Sequence, residues 1–404
     1  DTFVFTYTVG SDIFDGNDNI DGGANSDTID YSAIVDTKYY GDIDLTAGTS
    51  KIIDSLDSNP STNVKKSDTI SLIENVIGTS GSDTIRGNAS QNTMTGGDGR
   101  DTILYTFAAL TAGVVVNLNA DTVEKKIGAT TIVDKITQIE NVVGSDYDDV
   151  FITNLTTANI IDGGETDIIG AGTLNGEESL GDTVDYSLNG ATKIIADLST
   201  LDSDGYATVT QTITGTTTKN DKLKNIENIT GTSGNDIIIG DADKNTLLGM
   251  AGNDVIDGKD GADYIDGGAG NDTITGGAGA DKLFGGIGND TFIDSDFAGD
   301  TIDGGTEADA SRGSDTIDYR LVATYGVNIN LNDATVTTVT INSATHTIVN
   351  IENVTGTSQA DNISGDEGKN TLIGLDGTDV ISGEGEDDVI DGGANATGIE
   401  ILNG

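Results

Sequence analysis

Aspartate returns every nine residues through the middle of this chain, each time in the same setting. With Gly231 as the first position, nine-residue units begin at Gly231, Gly240, Gly249, Gly258, Gly267, Gly276 and Gly285. Their sixth residues are Asp236, Asn245, Asp254, Asp263, Asp272, Asp281 and Asp290, and their eighth are Ile238, Leu247, Ile256, Ile265, Ile274, Leu283 and Phe292. A carboxylate is a hard oxygen donor, and the backbone carbonyls of Gly-rich turns are others. The chain has no Cys and a single His, His346. Oxygen-only ligands in a flexible cage select Ca2+ over Zn2+, and Mg2+ prefers to keep its waters.

The rest of the unit is what positions that carboxylate. Glycine permits left-handed backbone angles and a tight turn whose carbonyls can face inward. Positions seven to nine make a three-residue strand, in which only the middle side chain points inward. Two units then complete one turn of a thin coil. Ile238, Ile256, Ile274 and Phe292 should stack on one sheet, and Leu247, Ile265 and Leu283 on the other. Loops eighteen residues apart lie over one another, so an Asp of one loop and carbonyls of the next can surround a cation.

This pattern, Gly-Gly-x-Gly-x-Asp-x-aliphatic-x, resembles the calcium-binding nonapeptide of the RTX family. The resemblance implies an all-β, right-handed parallel β-roll, export by type I secretion and folding driven by extracellular calcium.

The frame recurs more loosely elsewhere. Asp18 and Asp27 hold the sixth position near the start, followed by Asp83, Asn92 and Asp101, by Asp149, and later by Asp361, Asn370, Asp379 and Asp388. The fourteen aspartates are the expected calcium ligands, enough for on the order of ten ions. Asn92, Asn245 and Asn370 are weaker, neutral donors. The unit after Asp149, residues 153–161, lacks both the glycine and the acid in this frame, so that short roll should bind calcium weakly or not at all.

A second motif, Ile-Glu-Asn followed by Val or Ile, stands before each roll at residues 73–76, 139–142, 226–229 and 351–354. Its Glu keeps the sixth position. Glu74, Glu227 and Glu352 therefore either complete a first calcium site or cap backbone. Each roll leaves through an Asp-Thr-aliphatic-x-Tyr sequence ending at Tyr31, Tyr105, Tyr186 or Tyr319. Those rings either close the thin core or stack on sugars.

Between rolls lie Gly-poor, alternating stretches such as Val114–Leu118 and Val327–Leu331, which read as half-buried strands in broader metal-free turns capping the rolls. The organisation read from the sequence is a partial roll at 1–26 and modules at 27–100, 101–181, 182–314 and 315–391. The longest calcium roll is 231–293, and 392–404 starts a further repeat. Inserts at 165–181 and 306–314 vary in length while the frame persists. The sequence opens without Met and stops partway through a repeat, so a longer protein is expected.

Composition narrows the partners. Asp and Glu number 68 against 19 Lys and Arg, a net charge of −49. Nucleic acid and anionic membrane need basic surface and are poor partners for this chain, and no apolar run reaches membrane-spanning length. Catalytic groups are not legible either. One His cannot supply a His-Glu-x-x-His site, and Gly78-Thr79-Ser80-Gly81-Ser82, a faint nucleophile elbow, recurs at Gly231 as the ordinary start of a roll. His346, in Thr345-His346-Thr347, reads as a strand-face or surface residue. The leading expectation is a non-enzymatic, calcium-folded structural or adhesive module of a secreted cell-surface protein, such as an S-layer, giant adhesin or biofilm fibre. Its partners would be calcium, and copies of itself or surface glycans. The alternatives are the calcium-binding accessory region of an extracellular enzyme and a carbohydrate-binding module using the exit tyrosines.

Overall fold

The computed structural model describes residues 1–6, 17–59, 63–164, 181–213, 215–296, 298–305, 313–331, 337–341, 344–394 and 401–403. Most of the two inserts, 165–180 and 306–312, and part of the last repeat, 395–400, lie outside the described residues. Every regular element among those described is a β-strand. Strands in the rolls are short, and their middle residue is the buried one, as in Thr84–Arg86, Ile237–Ile239 and Thr371–Ile373.

Two compact units form: residues 1–185 with 219–226, and residues 186–218 with 227–404. In both, successive single strands go alternately to two mainly parallel sheets. The second unit shows the expected register. Ile238 stacks on Ile256, Ile256 on Ile274 and Ile274 on Phe292. Leu247, Ile265 and Leu283 stack likewise on the other sheet. All seven are at most 1% exposed. At roughly 1.5–3 kcal/mol for each buried aliphatic side chain, one such residue per nine is a sparse core.

Stacking this close explains the glycines at positions two and four. Gly279 has φ +147°, and a Cβ there would fall 1.4 Å from the Gly261 carbonyl oxygen one turn earlier. No other residue fits.

The Gly-poor stretches differ from expectation. They do not cap the rolls; they are antiparallel meanders set inside the sheets. Val64–Ser71 pairs parallel with Asn19–Asp21, then antiparallel with Thr49–Asp54. Thr49–Asp54 pairs antiparallel with Tyr39–Asp44, which pairs parallel with Thr84–Arg86. The chain thus jumps ahead and folds back before the roll resumes. Residues 115–137 do the same in the other sheet of that unit, as do 328–349 in the second unit. In the first unit four single strands separate the two meanders (Asn75–Ile77, Thr84–Arg86, Thr93–Thr95 and Thr102–Leu104). An even number sends the next meander to the opposite sheet, so the two extra strands on one side are matched by two on the other.

Candidate metal centre

The position-six carboxylates are built into the backbone ladder. Within a roll the carboxylate accepts the N–H of the position-six residue one turn earlier: Asp236 donates to Asp254, Asp254 to Asp272 and Asp272 to Asp290, at 2.7–2.8 Å. On the opposite loops Asn245 donates to Asp263 and Asp263 to Asp281, at 2.8–2.9 Å. Asp361 donates to Asp379, Asn370 to Asp388 and Asp83 to Asp101 in the same way. In every case Oδ1 is the acceptor.

The second oxygen divides the fourteen aspartates into groups. In Asp27, Asp101, Asp254, Asp263, Asp272, Asp281, Asp290, Asp379 and Asp388, Oδ2 is buried with no hydrogen-bond partner. An orphaned, buried carboxylate oxygen is costly unless a cation meets it. It also faces another oxygen. At Gly249 a Cβ would lie 2.4 Å from Asp254 Oδ2 and 2.5 Å from the Gly267 carbonyl oxygen, so the space is oxygen-lined and only glycine leaves it open.

Four aspartates, each opening a roll, are saturated instead. Asp236 Oδ2 accepts the Thr232 N–H (2.5 Å), while Oδ1 accepts the Thr232 hydroxyl (3.0 Å) and the Ile194 N–H (2.6 Å). Thr79, Ser145 and Thr357 treat Asp83, Asp149 and Asp361 identically. The remaining acceptor place on these three is filled by Gly41, Val114 and Val327 N–H groups. These four carboxylates have the same sequence position as the orphans and a different environment. Asp18 is different again: exposed, with Oδ2 2.8 Å from Lys66 Nζ.

The three asparagines are also satisfied. Asn245 accepts from Asp241 N–H and donates to the Glu227 carbonyl. Asn92 donates to the Glu74 carbonyl and Asn370 to that of Glu352. The motif glutamates end the ladders as backbone caps: Glu74, Glu140 and Glu352 accept the N–H groups of Asp27, Asp101 and Asp315 at 2.9–3.0 Å.

Several ladder members escape a strict nine-residue count. Asp182 and Asp315 receive the Asp149 and Asp290 N–H groups across the inserts. Two turns run one residue long, which moves the sixth position to Asn159 and Asp300, directly before strands Ile160–Asp162 and Thr301–Asp303; Asp300 accepts the Asp281 N–H, and Asn159 donates its amide to the Glu140 carbonyl. Counting backwards from Gly163-Gly164 and Gly304-Gly305 finds both. Residues 153–161 as framed from Gly144 therefore miss Asn159.

Buried lysines were not anticipated, and one shows the donor set directly. Lys125 Nζ sits among the Asn88 carbonyl (2.7 Å), the Ser90 carbonyl (2.7 Å), Asn92 Oδ1 (3.1 Å) and Asp134 Oδ2 (2.7 Å). Those are positions two, four and six of one unit plus a carboxylate of the next turn. An ammonium occupies an all-oxygen cage of the kind a calcium ion takes. Lys219 lies 2.9 Å from Asn159 Oδ1 and 3.0 Å from Asp221 Oδ1, and Lys66 lies 2.9 Å from Asp68 Oδ1. The signal was Lys-x-Asp-x-aliphatic at residues 66–70 and 219–223.

The exit tyrosines are fully buried. Tyr31 and Tyr105 hydroxyls donate to Asp68 and Asp134. They close the core, and they cannot stack on a sugar from solvent. His346 lies on a strand as expected, Ala344–Val349, and its side chain is buried there and not at the surface.

Electrostatics follows from this packing. Burial, then neighbouring carboxylates, push Asp101, Asp254 and Asp263 up to about 7 and Asp272 and Asp281 to about 6, against the lowering by their N–H donors. The saturated Asp83 also rises to about 6, so these shifts report burial and crowding; the bare Oδ2 atoms are what distinguish the two groups.

Comparison with family profiles matches the RTX calcium-binding nonapeptide repeat (four copies) at residues 14–33, 71–104, 226–256, 257–292 and 364–396, under half of the chain. The matched segments hold all nine orphaned carboxylates. The short roll around Asp149 is not matched. No curated protein matches the chain.

Proposed function

We propose that this chain, matched over part of its length by the calcium-binding RTX nonapeptide repeat, is a calcium-folded structural or adhesive segment of a secreted bacterial cell-surface protein. Calcium ions sit against the orphaned Oδ2 atoms and draw neighbouring turns together. In a low-calcium cytosol the carboxylates repel and the sparse core cannot offset chain entropy, so the chain stays extended and exportable. Near millimolar calcium it folds and stiffens at the cell surface, after type I secretion. No catalytic step is part of this reading.

The observation that carries it is the set of carboxylates, Asp254, Asp263, Asp272 and Asp281 among them, that hold the turn before them with Oδ1 while Oδ2 is buried with no hydrogen-bond partner. Sedimentation velocity in millimolar calcium and in chelator tests the role. Growth with calcium into large regular assemblies is the outcome for a lattice or fibre. A monomer of unchanged size in calcium would contradict self-assembly. Equal sedimentation with and without calcium would overturn the reading as a whole.

A further inference from the structure

Where the ladder opposite the motif glutamates meets a meander, the structure repeats one arrangement three times and then departs from it. Asp18, Asn92 and Asn159 each lie beside an Asp of a meander's last strand (Val64–Ser71, Thr130–Thr137 and Thr218–Lys224): Asp68, Asp134 and Asp221 accept their N–H groups at 2.7–2.9 Å. A buried lysine, Lys66, Lys125 or Lys219, balances each. At the fourth place, in the second unit, Asp300 holds the ladder position. Thr301 pairs with Thr347, which sets His346 where the other meanders have Asp. The meander sequence 328–349 contains no Lys or Arg.

A further acid stands there. Asp294, Asp300 and His346 are all buried, and one ligand atom from each lies within 4.8 Å of the others. His346 Nδ1 is 2.9 Å from Asp294 Oδ2 and 3.5 Å from Asp300 Oδ2. Nδ1 therefore faces both carboxylates, an ion pair when the ring is protonated, while Nε2 is buried with no hydrogen-bond partner. Tyr319, the counterpart of Tyr31 and Tyr105, also has its hydroxyl buried and unpartnered. Asp300 Oδ1 is already used, by the Asp281 N–H at 2.9 Å.

The charges differ from those elsewhere: Lys66 also meets two carboxylates, but one of them, Asp18, is exposed, whereas Asp294 and Asp300 are both buried. Lys125 and Asp134 neutralise each other. Here two carboxylates face one imidazole, so even a protonated ring leaves one negative charge buried, which is strongly unfavourable. A divalent ion would cancel both. An imidazole nitrogen is a poor calcium ligand and a good one for zinc and its first-row neighbours.

We propose that Asp294, Asp300 and His346 form a binding site for one divalent first-row transition-metal ion of the zinc class, chemically distinct from the calcium ladder. The Tyr319 oxygen or a water completes the coordination. The ion does for this turn what lysine does at the other three, joining the ladder to the meander.

The test uses the whole chain folded in millimolar calcium and loaded with Co2+ as the probe. The result expected is one Co2+ per chain retained through gel filtration in calcium buffer, with visible d–d absorption. His346→Ala abolishes it, Asp294→Asn weakens it at least tenfold, and the calcium content of both stays unchanged. Because His346 is the only imidazole in the sequence, its ring resonance in the unmodified chain is an independent readout, and it should move far outside the diamagnetic range. No retained Co2+, displacement by millimolar calcium, an unshifted ring, or equal retention in His346→Ala would each overturn the proposal. Calcium-driven folding is read separately by far-UV circular dichroism, so the two ideas can fail independently.

Discussion

At the residue scale, what separates one aspartate from another is its second oxygen. Asp272 and Asp236 share the sixth position, yet Asp272 Oδ2 is bare and Asp236 Oδ2 holds the Thr232 N–H. Asp272→Asn should lower the calcium content of the folded chain. With calcium at about 100 times the dissociation constant, losing one ion removes about 2.7 kcal/mol. Asp236→Asn should cost about 1–3 kcal/mol, by turning an amide against the Thr232 N–H, with the ion count unchanged. Metal analysis alongside calcium-dependent unfolding checks both, and an equal fall in ion count for the two variants would contradict the division. The same carboxylates set a pH dependence. Asp101, Asp254 and Asp263 rise from 3.8 to about 7 in the bare fold, so the folded state takes up protons that the unfolded state releases. Metal-free stability is then greatest below about pH 4 and is lost as pH rises through 6 and 7. In chelator the chain should show more β-structure by circular dichroism at pH 5.5 than at pH 8; identical spectra would be the contrary result.

At the element scale, the strands of the rolls were legible because position eight carries one aliphatic residue in a strand bounded by turns, and position six carries the acid. Ile256 over Ile274 could be written down from spacing alone. What the spacing did not reveal depends on contacts made far along the chain. Thr79 saturates Asp83 only because the Gly41 N–H arrives from a meander forty-two residues away. Asn159 and Asp300 were hidden by a one-residue extension of their turns. The buried lysines look like surface residues in an alternating strand until the meander folds back beneath the ladder. Lys125→Met leaves Asp134 buried and uncompensated, which should cost about 3–5 kcal/mol. Adding Asp134→Asn should recover much of that loss. Chemical denaturation in saturating calcium measures both, and a single-variant loss below about 1 kcal/mol would show that the ammonium is not the cation of that turn.

At the scale of the whole molecule, the orphaned oxygens are unevenly divided. Asp27 and Asp101 belong to the first unit; Asp254, Asp263, Asp272, Asp281, Asp290, Asp379 and Asp388 belong to the second. The first unit also holds the three lysine-filled turns. Its folding should need less calcium. In a calcium titration followed by hydrogen exchange, peptides from 63–164 should become protected at lower calcium than peptides from 249–305. Simultaneous protection would mean that the bare carboxylates do not set the calcium requirement. The central claim, that calcium bound at those oxygens is what folds the chain, is tested most directly by far-UV circular dichroism at pH 8 during a calcium titration from chelator. A largely unfolded spectrum should convert to β-structure as calcium is added. A full β-spectrum in chelator, unchanged by calcium, would contradict it.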